Sequence, residues 1–159
     1  MTKELAAGDR APAFKLAALD GEISSAALKG KPYILYFYPK DDTSGCTKEA
    51  LDFSENIRKF KSLGVEVIGA SKDSLESHEK FRKKYGLKVR LGSDPDQNVA
   101  NTYGVWVQKK LYGRTYMGMD RATFLVDGKG IIRQIWRKVK VSGHAEAVLA
   151  AAKEAVTAS

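Results

Sequence analysis

The residue of this chain that is most able to take part in a reaction is its single cysteine. Cys46 lies in the segment YPKDDTSGCTKEA, directly after the apolar run 32–38 and at the start of a helical pattern. In the first turn of a helix, unpaired backbone N–H groups and the helix dipole favour an anion, so a thiolate is stabilised there. From position alone, Cys46 is equally compatible with a reactive thiolate and with a small buried apolar side chain.

The residues around Cys46 exclude several other cysteine chemistries. Cys-x-x-Cys exchange is excluded because Thr43 and Glu49 stand where the second cysteine would lie. A cysteine hydrolase needs a general base, usually histidine, and the chain has only His78 and His144. We predict His78 at the boundary of a helix and His144 in a capping or solvent-facing role. One cysteine and two distant histidines lack metal-ligand spacing, and we predict neither a metal nor an organic cofactor.

A buried strand and a helix are predicted to position Cys46. Residues 33–38 are apolar on both alternating faces, which is typical of a strand inside a mostly parallel sheet. Apolar residues at helical spacing predict one helix over 46–62, which Gly64 ends. The core-facing stripe of this helix comprises Cys46, Ala50, Phe53, Ile57 and Phe60.

The remaining segments predict an alternation of strands and helices. They are a hairpin over 13–23, a strand over 65–71, a helix over 74–85, a strand over 89–92, a short helix to about 103, a strand and loop over 104–120, a hairpin over 122–136 and a last helix from 143. Asp73 and Glu76 have the spacing of a capping box, and Gly86 ends their helix. This order predicts an α/β fold whose mixed central sheet has helices on both faces. A thioredoxin-like fold with an N-terminal β-hairpin extension fits it, and a flavodoxin-like sheet is the alternative.

Length and composition favour one compact domain in a reducing compartment. The chain has 159 residues, of which 43% are apolar, and one cysteine cannot form an internal disulfide. No apolar run has the length of a signal peptide or a membrane span, so a cytoplasmic protein with no membrane partner is expected. The net charge of +8 arises from scattered basic residues without interleaved aromatics. A nucleic-acid partner is therefore not favoured.

The motif Pro39-x-x-x-Thr43-x-x-Cys46, set in FYPKDDTSGCTKEA, resembles the active-site motif of the peroxiredoxins. It is similar in particular to the bacterioferritin-comigratory protein, or peroxiredoxin Q, subfamily. APAFKL, VIGASKDSLESHEKF, SDPDQNVANTYGVW and RATFLVDGKGIIRQIW are similar to the same subfamily, so the resemblance spans nearly the whole chain. It implies a single thioredoxin-like peroxiredoxin domain over residues 1–159. It also implies a thiol-dependent peroxidase that acts on hydrogen peroxide and organic hydroperoxides, in antioxidant defence and redox homeostasis.

The resemblance assigns roles to four residues. Cys46 is the peroxidatic cysteine, Thr43 places its hydroxyl against the thiolate and the peroxide, and Pro39 shields the sulfur from water. Arg121 stabilises the thiolate and the polarised peroxide. Such fixed donors stabilise the charge that develops as the O–O bond breaks, and Cys46 becomes a sulfenic acid. The alternatives are an N-cap for Thr43, a strand terminator for Pro39 and a surface charge for Arg121. Glu49 is interpreted as a favourable acid in the first helical turn.

The chain departs from this subfamily at the positions of the resolving cysteine. Those positions hold Leu51, Arg82 and Ala100, so an intramolecular disulfide is excluded and a 1-Cys mechanism is expected. The Cys46 sulfenic acid is then reduced by thioredoxin, glutaredoxin, glutathione or another external thiol, or by Cys46 of another subunit. Ser44 replaces the usual proline and leaves the loop less restrained.

Leu51 also bears on the conformation of the helix during catalysis. Because no cysteine at position 51 can trap an unwound first turn, we expect the helix to stay folded. The chain is expected to be a monomer or a weak dimer. Two alternatives to an enzyme remain at this point: a peroxiredoxin-fold sensor or binding module without turnover, and a nucleic-acid-binding side role that the positive charge would drive.

Overall fold

A computed structural model describes residues 4–158, which form a seven-stranded mixed sheet and a separate two-stranded hairpin. In chain order the elements are β1 (Lys15–Ala18), β2 (Gly21–Ser24), β3 (Tyr33–Phe37), α1 (Ser44–Glu55), α2 (Ile57–Ser62), β4 (Glu66–Ser71), α3 (Leu75–Tyr85), β5 (Arg90–Ser93), α4 (Asn98–Thr102), β6 (Trp106–Leu111), β7 (Arg114–Met119), β8 (Ala122–Val126), β9 (Ile132–Trp136) and α5 (His144–Ala158).

The strand order of the large sheet is β2-β1-β5-β4-β3-β8-β9. β3 is parallel to β4 and antiparallel to β8, with Phe37 opposite Ala70 on one side and opposite Ala122 on the other. Every residue of β3 is buried, as its continuous apolar sequence predicts. The loop that follows β3 therefore leaves the sheet at the centre of one edge.

Two hydrophobic cores lie on opposite faces of the sheet. Tyr33, Leu35 and Phe37 of β3 enter one core together with residues of α4, whereas Ile34 and Tyr36 enter the other. Buried side chains of α1, α2, α3 and α5 pack in this second core, and they include Phe53, Phe60, Phe81 and Val148. The prediction of a mixed sheet with helices on both faces is confirmed. The flavodoxin-like alternative is wrong, because β8 and β9 join the sheet in antiparallel orientation.

Two local predictions are wrong. The single helix over 46–62 is two helices, because Asn56 interrupts the ladder with φ −97° and ψ 6° and its side-chain amide donates to the Asp52 carbonyl at 2.8 Å. The cap of α3 is Ser74, whose hydroxyl accepts the Ser77 N–H at 3.1 Å. Asp73 instead accepts a hydrogen bond from the backbone N–H of Asp41, in the loop after β3.

Residues 104–120, predicted as a strand and a loop, form the antiparallel hairpin β6–β7. Its turn contains Tyr112, which has φ +51° and is 96% exposed. Alternation is weak here because most side chains of both strands are exposed or half-buried, so period-two patterning could not identify the second strand. Among the described residues, no helix is long and apolar enough to cross a bilayer.

Candidate active site

Cys46 is the third residue of α1 and lies at the sheet edge where β3 ends. The first backbone bond of this helix runs from Thr47 N–H to the Thr43 carbonyl, at 2.8 Å. The amides of residues 44–46 precede that bond, so they have no carbonyl partner within the helix. The Cys46 side chain is 2% exposed and packs in the second core beside Tyr36 and Ala50. The sulfur thus lies at a helix N-terminus with little access to water, where an anion is favoured.

Arg121 brings a positive charge to this sulfur. Its Nη2 lies 3.3 Å from Cys46 Sγ. Arg121 immediately precedes β8, and the pairing of Phe37 with Ala122 places it at the edge where β3 ends. Gly45 leaves space for the guanidinium group of Arg121, because a Cβ at position 45 would lie 3.2 Å from Arg121 Nη2. Strand register therefore joins two residues that are 75 positions apart in the chain.

Glu49 is the second partner of the guanidinium. Its Oε1 accepts a hydrogen bond from Arg121 Nη1 at 2.7 Å, and the carboxyl group is 1% exposed. Burial raises the pKa of Glu49 to about 7, although the charge and hydrogen bond of Arg121 act in the opposite direction. Burial opposes the charge on Arg121, but Glu49 and then Cys46 raise the pKa of Arg121 above its usual value.

One cation is therefore shared between two acidic groups. Arg121 contacts both Cys46 Sγ and Glu49 Oε1, so two anions there would leave one buried negative charge uncompensated. Protonation of Glu49 removes that excess and leaves the guanidinium to the sulfur. The interpretation of Glu49 as an acid in the first helical turn is wrong, because it is the sixth residue of α1 and its buried carboxyl group pairs with Arg121. The signal was available, because positions 46, 49, 50 and 53 follow the helical spacing of the apolar stripe.

The other two residues of the motif lie in the loop between β3 and α1. Thr43 is the N-cap residue of α1, and its exposed hydroxyl donates to the Lys40 carbonyl at 2.9 Å, without a side-chain cap bond. Pro39 is half-buried and follows the last buried residue of the strand segment, Tyr38. Ser44 is the first residue of α1.

Both histidines occupy other places than predicted. His78 is 0% exposed, with Nδ1 2.6 Å from Asp41 Oδ2 and Nε2 3.0 Å from the Gly92 carbonyl. His144 is buried, with Nε2 2.8 Å from the Thr123 hydroxyl. Burial and then Arg121 lower the pKa of His144 to about 4, so it is neutral at pH 7. The helical period could not reveal these partners, because they lie on other strands and loops.

Comparison with known proteins identifies the family that the sequence of this chain matches. Residues 7–135 match the AhpC/TSA family. Peroxiredoxin Bcp of Bacillus subtilis is 43% identical over 155 residues, which are 97% of this chain and 98% of the relative. Peroxiredoxin Bcp of Escherichia coli is 40% identical over 151 residues, which are 94% of this chain and 97% of the relative.

Solved structures of similar proteins have the same fold. A cysteine-to-serine mutant of peroxiredoxin Q from Xylella fastidiosa superposes with a TM-score of 0.90 at 32% identity, over 96% of this chain and 98% of that one. The bacterioferritin comigratory protein of Xanthomonas campestris, which has alkyl peroxide reduction activity, superposes with a TM-score of 0.86 at 40% identity. That match covers 90% of this chain and 92% of the other. The predicted thioredoxin-like peroxiredoxin fold is confirmed.

Proposed function

This chain belongs to the AhpC/TSA family and is a thiol-dependent peroxidase, and we propose that Cys46 is the group that attacks the peroxide. The observation that carries this assignment is the contact of Arg121 Nη2 with Cys46 Sγ, 3.3 Å apart at the N-terminus of α1. A guanidinium and unpaired helix amides stabilise a thiolate, and they also stabilise negative charge on a peroxide oxygen beside it. The same donors therefore serve the ground state and the transition state.

The chemical step transfers one oxygen from the peroxide to Cys46. The thiolate attacks the terminal, hydrogen-bearing oxygen of ROOH, the O–O bond breaks, and the electron pair of that bond leaves on RO⁻. The attacked oxygen becomes the hydroxyl of Cys46–SOH, and RO⁻ takes a proton to become ROH. Sulfur is oxidised by two electrons and the peroxide is reduced by two. Hydrogen peroxide and organic hydroperoxides both fit this balance.

We propose that Thr43 and Pro39 complete the peroxide site. The Thr43 hydroxyl donates its proton to the Lys40 carbonyl, so its oxygen can still accept a hydrogen bond but cannot be the donor predicted from the sequence. An acceptor in that place would orient the O–H of the peroxide while Arg121 receives the developing charge. Pro39 has no N–H and a fixed φ, which suits it to shield the sulfur without attracting water.

We propose that an external thiol returns Cys46 to its reduced form. Cys46 is the only cysteine of the chain, so an intramolecular disulfide cannot form. A thiol R′SH attacks the sulfenic acid, water leaves and a mixed disulfide forms. A second R′SH then releases Cys46 and R′SSR′. Thioredoxin, glutaredoxin and glutathione are the candidate reductants, the protein acts as a monomer or weak dimer, and a reducing cytoplasm supplies the thiol.

The test is the rate at which Cys46 reacts with one equivalent of hydrogen peroxide at neutral pH. Dimedone trapping with intact mass analysis identifies the sulfenic acid, and free cysteine is the reference. We expect a rate constant more than about 1,000-fold above that of free cysteine, which corresponds to ~4 kcal/mol of transition-state stabilisation. A rate close to that of free cysteine would mean that the residues around Cys46 do not accelerate its reaction with peroxide. Steady NADPH consumption with a coupled reductant would then also be absent.

A further inference from the structure

The loop between β3 and α1 carries two consecutive aspartates that bind α3 about two helical turns apart. Asp41 is buried, whereas Asp42 is exposed and has φ +57°. Asp42 accepts hydrogen bonds from Lys84 Nζ at 2.8 Å and from the Tyr85 hydroxyl at 2.6 Å. Because this outer pair is exposed to solvent, its contribution is small. The buried contact is the one that can fix the loop.

Asp41 accepts three side-chain hydrogen bonds from three different positions. The Tyr38 hydroxyl donates to Oδ1 at 2.6 Å, and the Ser77 hydroxyl donates to Oδ2 at 2.8 Å. His78 Nδ1 lies 2.6 Å from the same Oδ2. In addition, the backbone N–H of Asp41 donates to Asp73 Oδ2 at 2.8 Å. Both the side chain and the main chain of this loop residue are therefore held.

His78 connects this carboxylate to the central sheet. Its Nε2 lies 3.0 Å from the Gly92 carbonyl, which can only accept, so Nε2 carries a proton. Its Nδ1 faces Asp41, which already accepts two hydroxyl protons, so the geometry favours a proton on Nδ1 as well. Burial opposes this charge, but the hydrogen bond and charge of Asp41 raise the pKa of His78 above its usual value. The side chain therefore bridges β5 and the loop through its two ring nitrogens.

We propose that His78 is a positioning residue for the peroxidase reaction, which holds the loop of Thr43 and Cys46 in place through its buried contact with Asp41. This inference rests on the proposed function. Asp41 lies two residues before the N-cap residue of α1, so a shift of Asp41 moves Thr43 and the first turn of the helix. A displacement of about 1 Å in such a site lowers reaction rates substantially. The loop could then still expose the sulfur, but it would no longer place the peroxide.

Two neutral substitutions separate the bond to Asp41 from the bond to Gly92. The amide nitrogen of His78→Asn falls near the position of Nδ1 and keeps a donor for Asp41. The amide nitrogen of His78→Gln falls near the position of Nε2 and keeps a donor for Gly92 alone. Asp42→Asn is the matched control, because it removes the negative charge of the exposed pairing in the same loop and because asparagine also tolerates positive φ.

Each folded variant is tested for its rate constants with hydrogen peroxide and with iodoacetamide. Iodoacetamide needs only an accessible thiolate, so the ratio of the two rates reports peroxide positioning rather than folding. For His78→Gln we expect the peroxide rate to fall by about tenfold or more while the alkylation rate holds or rises. We expect His78→Asn and Asp42→Asn to stay within about threefold of the wild-type ratio.

A wild-type ratio in folded His78→Gln would overturn the proposal. Equal losses in His78→Asn and His78→Gln, or an equal loss in Asp42→Asn, would overturn it as well. Should His78→Gln not fold, Tyr38→Phe and Ser77→Ala replace it as tests, since each removes one donor to Asp41. Unchanged ratios of the peroxide rate to the alkylation rate in both variants would count against positioning of the loop through Asp41. A wild-type protein that reacts with peroxide no faster than free cysteine would instead refute the proposed function.

Discussion

Glu49→Gln tests whether the buried carboxyl group beside Arg121 takes up a proton in the folded protein. The test uses the pH dependence of the free energy of unfolding. Burial raises the pKa of Glu49 from 4.5 to about 7 in the folded protein. The folded state therefore holds this proton more tightly than the unfolded chain does. The resulting stabilisation is fully present below pH 4.5 and is lost as the pH rises through 7. The loss amounts to about 3 kcal/mol, from ~1.4 kcal/mol for each unit of pKa difference.

His144 acts in the opposite direction over nearly the same range. Its pKa falls from 6.5 to about 4 on folding, so its stabilisation is present above pH 6.5 and is lost as the pH falls through 4. The magnitude is again about 3 kcal/mol. In the wild-type protein the contributions of Glu49 and His144 offset each other between pH 4.5 and 6.5. The substitution removes one of them and reveals the other.

The assay is urea unfolding of wild type and Glu49→Gln at intervals from pH 4 to pH 8. We expect the stability of the variant relative to wild type to increase by about 3 kcal/mol across this range. Glu55→Gln, on the exposed face of the same helix, is the control for the loss of one negative charge. A stability difference that does not change with pH would refute the reasoning about the buried carboxyl. Since the amide oxygen that Glu49→Gln introduces can still accept from Arg121, the peroxide rate at pH 7 should remain within about threefold of wild type.

Three further predictions concern the sulfur and its helix. Arg121→Lys loses the two guanidinium nitrogens that contact Cys46 and Glu49, so the stopped-flow rate with hydrogen peroxide should fall on the order of 100-fold. An unchanged rate would refute a role of Arg121 in the reaction. Gly45→Ala should lower that rate several-fold by displacing the guanidinium, yet raise stability in urea by about 0.5–1 kcal/mol, because alanine favours the helix; a lower rate accompanied by lower stability would point to general disruption. With Leu51 in place of a resolving thiol, hydrogen exchange at residues 46–52 should keep its protection after peroxide treatment, and a large loss would contradict a helix that stays folded.

Some features of the site depend only on local sequence. The apolar run of β3 predicts a buried strand, and the apolar stripe that begins at Cys46 predicts a helix directly after it. Both predictions are possible because the periods of two and 3.6 residues are properties of neighbouring positions. The same period explains why Glu49 is buried, once it is placed beside Cys46 on the stripe. The break at Asn56 was missed because it arises from a side-chain bond to the Asp52 carbonyl, which competes with the helical ladder.

The sequence alone thus determined that the single cysteine lies in the first turn of a helix, just after a buried strand. Only the tertiary structure decided which charges surround it. Arg121 reaches the sulfur because β8 pairs antiparallel with β3, and His78 reaches Asp41 because α3 follows β4, the parallel neighbour of β3. The physical reason is that burial and charge pairing depend on distances set by strand register, and register joins positions whose separation along the chain has no period.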